Sequence, residues 1–152
     1  MNLLKKRSRS AAETKKIARE LGRRLDAGDV VTLRGELGAG KTTFAKGLAK
    51  ALGVGSEKEV SSPTFVIIHE YAARLPLYHL DWYRLKRVEG ADRELAEECF
   101  SGKGVTLIEW PERGTRVLPA ERIEVSLSHA GATIRAIEIR GVGKKYSGLF
   151  KK

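Results

Sequence analysis

The stretch Gly35–Gly53, GELGAGKTTFAKGLAKALG, decides how the rest of the chain is read. Its first eight residues, Gly35 to Thr42, fit Gly-x-x-x-x-Gly-Lys-Thr. The run VVTLRG before it, Val30 to Gly35, is short, β-branched and stopped by glycine, as a buried strand is. The residues from about Lys41 to Leu52 read as a helix that Gly53 ends. Strand, glycine loop and helix in this order form a phosphate cradle. Glycines let the loop turn so that successive backbone N–H groups and the helix N-terminus face anionic oxygens. Lys41 supplies a point charge for the outer phosphates, and the Thr42 hydroxyl is placed to ligate magnesium. Residue frequencies produce the pattern by accident in a chain of this length on the order of 1 % of the time. The candidate nucleotide-binding set is Gly35, Glu36, Leu37, Gly38, Ala39, Gly40, Lys41, Thr42 and Thr43.

A phosphate cradle also needs a carboxylate for magnesium at the end of a neighbouring apolar strand. VTLIE, Val105 to Glu109, has that form, and Glu109 is the first candidate. Asp81 is the second. It lies in the strand-like LPLYHLDWY, where alternation sets Tyr78, Leu80 and Trp82 on one face and His79, Asp81 and Tyr83 on the other. His79 and Asp81 could hold a metal between them, but no third ligand is evident; His69 and His129 read as ordinary strand residues. The chain has no glutamine, and its only asparagine is Asn2. It therefore lacks the water-orienting glutamine of Ras-like enzymes and the metal-binding asparagine of protein kinases, and an Asn-Lys-x-Asp segment for guanine. Activation of water falls to Glu109 or Asp81, with Thr64 able to sense the terminal phosphate from its loop. With no evident arginine finger, hydrolysis by such a set is expected to be slow in isolation, which implies a partner.

The 152 residues suffice for one domain with a real core, and residues 1–152 are expected to form one. The formal net charge of +10 is concentrated at the ends. Lys5, Lys6, Arg7 and Arg9 at the start and Lys144, Lys145, Lys151 and Lys152 at the close have no acid among them, whereas the body is nearly balanced. The ends, about 1–9 and 143–152, are expected to be solvated and flexible, with a weak or indirect tRNA contact as the alternative. No apolar run approaches the roughly 18–20 residues of a membrane helix, and MNLLKKRSRSAAE carries charges where a signal peptide needs apolar residues. A cytoplasmic location is expected. Lone Cys99 fits a small buried hydrophobe on a helix.

Ser10 with Glu13 reads as a capping box for a first helix, in which Ile17, Leu21 and Leu25 recur until Gly28. TFVIIHEY, from Thr64 to Tyr71, and LPLYHLDWY read as a hairpin, and DRELAEECF, Asp92 to Phe100, as a helix. RIEVSLS and ATIRAIEIR make a terminal hairpin around Ala130-Gly131.

GELGAGKTTFAKGLAKALG, SSPTF, YHLDWYRL and TLIEWPERG together resemble, in order and spacing, the TsaE family of bacterial P-loop ATPases, also called YjeE. The likeness runs from about Thr14 to Pro119. It implies a three-layer α/β/α sandwich, P-loop NTPase-like, with a mixed central sheet and antiparallel hairpins. It also implies a partner-activated, magnesium-dependent ATPase of tRNA threonylcarbamoyladenosine modification, whose nucleotide state controls docking on, and resetting of, a complex of TsaB and TsaD homologues. By the same resemblance Lys41 and Thr42 hold phosphate and Mg2+, Glu109 joins the metal shell, and Asp81 is a second essential carboxylate. Thr64 is then the switch threonine, Trp110 stands beside the acidic strand end, and Thr14 approaches the ATP. Family members often carry an arginine directly after the glycine of the last hairpin, near the base; here Ala132 follows Gly131. Two other readings accommodate the cradle: a small nucleoside or nucleotide kinase, for which no lid insertion is evident between Trp110 and Ile123, and a nucleic-acid-binding module in which ATP is incidental.

Overall fold

The computed structural model describes residues 2–61 and 67–151. The strands are β1 (Leu3–Ser8), β2 (Val30–Arg34), β3 (Ile68–Tyr71), β4 (Leu77–Asp81), β5 (Val105–Glu109), β6 (Arg122–His129) and β7 (Arg135–Val142). The helices are α1 (Ala11–Gly22), α2 (Lys41–Leu52) and α3 (Ala91–Phe100). All seven strands join one mixed sheet in the order β1-β7-β6-β2-β5-β4-β3. Its centre is parallel, with β2 between β5 and β6 and β4 beyond β5, while antiparallel hairpins form the flanks.

Alternation along the strands divides the core in two. Val31 and Leu33 of β2, Leu107 of β5 and Ile123, Val125 and Leu127 of β6 pack under α1 and α2. Val30, Leu80 and Ile108 point the other way and meet α3 through Ala96 and Cys99, together with Trp82 and Val88. Two helices, a sheet and a third helix give the expected α/β/α layers. The first two helices lie close because α2 carries a glycine where they cross: a Cβ at Gly47 would come within 2.4 Å of the Lys15 carbonyl oxygen.

The basic start of the chain is a strand and not a solvated arm. Residues 3–8 pair antiparallel with β7, placing Lys5 opposite Glu138 and Lys6 opposite Ile137. Leu4 packs on the core under α1 and α2, and Ser8 is fully buried. Three consecutive exposed basic residues, Lys5, Lys6 and Arg7, conceal this in the sequence, because an edge strand needs only its backbone paired and long basic side chains suit its open side. The other end is anchored as well. Lys144–Tyr146 forms a short 3-10 turn, and the Tyr146 hydroxyl donates to Asp29 Oδ1 at 2.5 Å while Lys145 Nζ meets the same oxygen at 2.6 Å. Buried Asp29 completes its bonding by accepting the Asp26 N–H on Oδ2 at 2.7 Å.

The helix after Ser10 stops at Gly22, so Leu25 is buried from the following turn. Its Ser10 cap accepts the Glu13 N–H, and the Glu13 carboxylate accepts the N–H of Arg9. The hairpin of β3 with β4, helix α3 and the terminal hairpin of β6 with β7 form in the expected places with shorter or shifted strands: β3 starts only at Ile68, β4 ends at Asp81 before Trp82 and Tyr83, and β7 starts at Arg135 instead of Ala132 and runs on to Val142. Residues 64–66 of the expected TFVIIHEY strand lie outside the described residues.

Candidate functional site

β2 ends at the middle of the sheet, where its neighbours β5 and β6 run parallel to it, and the loop Gly35–Gly40 leaves its C-terminal edge. Ligands of open α/β sheets bind outside the carboxyl ends of the strands at such a place. Two glycines of the loop need the freedom of their type: Gly38 has φ 79° and Gly40 φ 102°. Gly40 is the N-cap of α2, with no side-chain cap, and the first turn of α2 holds no acid. Helix α1, by contrast, is capped by Ser10 and has Glu13 in its first turn. The opening N–H groups of α2 therefore have no cap from the N-cap residue itself and lie at the positive end of the helix dipole.

Lys41, the first residue of α2, is only 7 % exposed. Its ammonium lies 4.1 Å from the Trp110 ring centroid, in cation–π contact, and has no ion pair among the described residues. Trp110 is held in the left-handed region, φ 59°, as the chain turns from β5 into the 3-10 turn Pro111–Gly114, and its ring packs against Tyr83 with centroids 4.8 Å apart.

The carboxylates come from neighbouring strand ends. Parallel pairing sets Asp81 of β4 opposite Glu109 of β5, and Glu109 opposite Leu33 of β2, two residues before the loop. Both are buried, and they share a pocket of about 450 Å³ with Lys41, Thr42, Tyr83 and Trp110. Asp81 Oδ1 accepts the Tyr83 N–H at 2.9 Å. Burial pushes the Asp81 carboxyl above its ordinary range; that hydrogen bond opposes the shift, the Glu109 charge reinforces it, and His79 and Lys41 oppose it. Glu109 Oε2 accepts from His79 Nε2 at 2.7 Å, so His79 is spent on a carboxylate and is not paired with Asp81 around a metal. Among the described residues no cluster of three or more His, Cys, Asp or Glu side chains could enclose a metal ion. The hard oxygen donors lining the pocket, the Thr42 hydroxyl and the two carboxylates, suit Mg2+, which takes one or two carboxylates and completes its shell with phosphate and water.

A second cleft, about 390 Å³, opens beside the same loop and shares Gly38, Gly40 and Thr43 with the first. Its far wall is the start of α1, from Arg9 to Thr14, and the hairpin tip Ala132–Arg135. The Thr14 hydroxyl lies 2.7 Å from that of Ser8. Arg135 reaches across to the Gly38 carbonyl at 3.2 Å. A guanidinium thus stands at this tip although Ala132 follows Gly131.

The structure brings Gly38, Gly40, Lys41, Thr42, Thr43, Asp81 and Glu109 to these openings, with Leu37 at the rim, 76 % exposed. Gly35, Glu36 and Ala39 line neither. Ala39 is buried in the core, Gly35 lies so near β6 that a Cβ would approach the Leu127 carbonyl to 2.8 Å, and the Glu36 carbonyl accepts the Ala39 N–H within the loop. Thr64 lies outside the described residues. Sequence reasoning missed Arg135 and Tyr83. Tyr83 shared a predicted face with Asp81, whereas nothing local marks Arg135, which reaches the loop from a distant hairpin.

A family model described as "Threonylcarbamoyl adenosine biosynthesis protein TsaE" matches residues 8–137. The chain belongs to the TsaE family. A TsaE protein of Bacillus subtilis, described as a tRNA threonylcarbamoyladenosine biosynthesis protein, is 45 % identical over 150 residues, covering 98 % of this chain and 92 % of its own. The TsaE protein of Treponema pallidum, with the same description, is 48 % identical over 120 residues, 79 % of this chain and 87 % of its own. The solved structure of Bacillus subtilis YdiB superposes with a TM-score of 0.80 at 40 % identity, over 97 % of this chain and 90 % of that one. Within this TsaE-family chain, no helix among the described residues is long and apolar enough to cross a membrane.

Proposed function

We propose that this TsaE-family protein is a magnesium-dependent ATPase of tRNA threonylcarbamoyladenosine biosynthesis, acting in the cytoplasm, in which nucleotide binding and hydrolysis control docking on a complex of TsaB and TsaD homologues. The pathway is carried over from the relatives' descriptions. The observation that carries the chemistry is the uncapped start of α2, with a buried Lys41 that lacks an ion pair among the described residues and faces a pocket shared with Asp81 and Glu109.

The phosphates occupy the loop, where the N–H groups of α2 and Lys41 oppose their charge. Thr42 and Glu109 would hold magnesium, which would supply charge neutralisation for the phosphates. Asp81 is the second carboxylate facing the reacting end, and its carboxyl, raised by burial, suits proton exchange with the attacking water. Thr64 serves as the terminal-phosphate sensor. The base lies in the second cleft between Thr14 and the hairpin tip, where Arg135 stands beside the loop. With no glutamine in the chain to orient water, turnover is slow alone, and docking completes the site.

Glu109→Ala and Asp81→Asn test this reading. Both are expected to keep binding a non-hydrolysable ATP analogue and to lose phosphate release in the presence of partners. Full stimulated release by Glu109→Ala would remove that residue from the mechanism.

A further inference from the structure

His79 lies in mid-strand on β4, fully buried, two residues before Asp81 on the same face. Its Nε2–H donates to Glu109 Oε2 over 2.7 Å, between side chains that are 0 % and 3 % exposed. The register of β4 with β5 explains the contact. Asp81 stands directly opposite Glu109 and His79 opposite Leu107, so the imidazole is the diagonal neighbour on the same face.

The other ring nitrogen, Nδ1, is buried and has no partner among the described residues. A proton there would find no acceptor, so the hydrogen-bond network assigns it to Nε2 and commits the ring as a donor to Glu109. An imidazole with one orphaned nitrogen is a poor way to fill a core. A leucine would occupy similar space without burying an unsatisfied atom, and buried polar pairs are often no more stabilising than apolar residues of equal volume. What the ring adds is direction: it pins one carboxylate oxygen, and with it the rotamer of Glu109. The opposite carboxylate is pinned in the same manner by the Tyr83 N–H on Asp81 Oδ1.

We propose that His79 is the positioning residue for Glu109, fixing its carboxylate so that the oxygen not bonded to the imidazole meets the divalent cation of the bound nucleotide. This rests on the reading of Glu109 as a metal-side carboxylate. Hydrogen-bond partners of metal ligands commonly carry about ten- to a hundredfold in metal affinity.

The test is Mn2+ binding, followed by electron paramagnetic resonance, to the full chain saturated with a non-hydrolysable ATP analogue. His79→Asn is polar but too short to reach Glu109, whereas His79→Gln can extend an amide N–H into the place of Nε2–H; His79→Leu removes the donor and keeps the volume. The expected result is Mn2+ binding weakened about ten- to a hundredfold in the Asn and Leu variants, largely recovered in Gln, with metal-free nucleotide affinity unchanged in all three. Should the Leu variant not fold, the contrast of Asn with Gln decides. Wild-type Mn2+ affinity in His79→Asn, or an equal loss in Asn and Gln, would overturn the proposal. Glu109→Gln separates the two claims: if it leaves Mn2+ binding unchanged, the reading of Glu109 fails and His79 falls with it. If it weakens Mn2+ while the His79 variants do not, the role of His79 alone is refuted.

Discussion

Replacing Lys41 with methionine isolates the charge at the mouth of α2. The side chain is 7 % exposed, and its stem fills space that methionine also fills. What disappears is the ammonium, which touches the Trp110 ring face and has no ion pair among the described residues. A hydrogen bond to a charged partner contributes roughly 1.5–3 kcal/mol. At about 1.4 kcal/mol per decade, nucleotide affinity should fall roughly ten- to a hundredfold. The lost cation–π contact, roughly 0.5–2 kcal/mol, bears on the fold instead, and lowers Tm by about 1–8 °C. Calorimetric titration of a non-hydrolysable ATP analogue into both proteins, with thermal melts alongside, gives the two numbers separately. The reasoning fails if Lys41→Met stays folded and its Kd lies within about twofold of wild type, since one charged contact should exceed that by far.

Other outcomes follow from the same structure. Trp110 is the indole beside Lys41 and Trp82 is sealed in the core; nucleotide should therefore perturb the emission of Trp82→Phe, which retains Trp110, and leave that of Trp110→Phe nearly unchanged. Burial, with Glu98 and Glu70 adding to it, pushes the Cys99 thiol from its ordinary value up to about 11. Between those two values the unfolded chain releases a proton that the folded one keeps, so stability falls with rising pH, by up to about 1.4 kcal/mol per unit. Cys99→Ala should lack that loss in urea titrations at pH 8 and pH 10, and wild-type Cys99 should resist thiol reagents until it unfolds. Tyr146→Phe deletes a hydroxyl that donates to the buried Asp29 carboxylate. The expected cost of roughly 1.5–3 kcal/mol should lower Tm by about 3–10 °C, and an unchanged Tm would mean that the C-terminal turn is not anchored there.

The parts of the fold that were legible in the sequence are those whose pattern is local. The glycine loop, the β-branched run before it and the alternation through His79 and Asp81 each carry their signal within a few residues, and together they give the sheet centre and both carboxylates. The basic ends did not read as structure because their partners are far away in sequence. Residues 3–8 are a strand only because β7 offers its edge, and Lys145 and Tyr146 are fixed only because Asp29 lies buried more than a hundred residues earlier. The His79–Glu109 bond was hidden for the same reason. Alternation placed His79 beside Asp81 on one face, but the register that brings Glu109 to the imidazole belongs to the pairing of β4 with β5. Arg135 reaches Gly38 across almost a hundred residues.

In the proposed function, hydrolysis of the phosphates drives a partner's cycle. The deciding experiment measures ATP turnover of the purified protein with magnesium, alone and then with its cognate TsaB and TsaD homologues. Slow turnover alone, clear stimulation by the pair and loss of that stimulation in Glu109→Ala are the predicted results. ATP that binds but is hydrolysed no faster when the pair is added would contradict it.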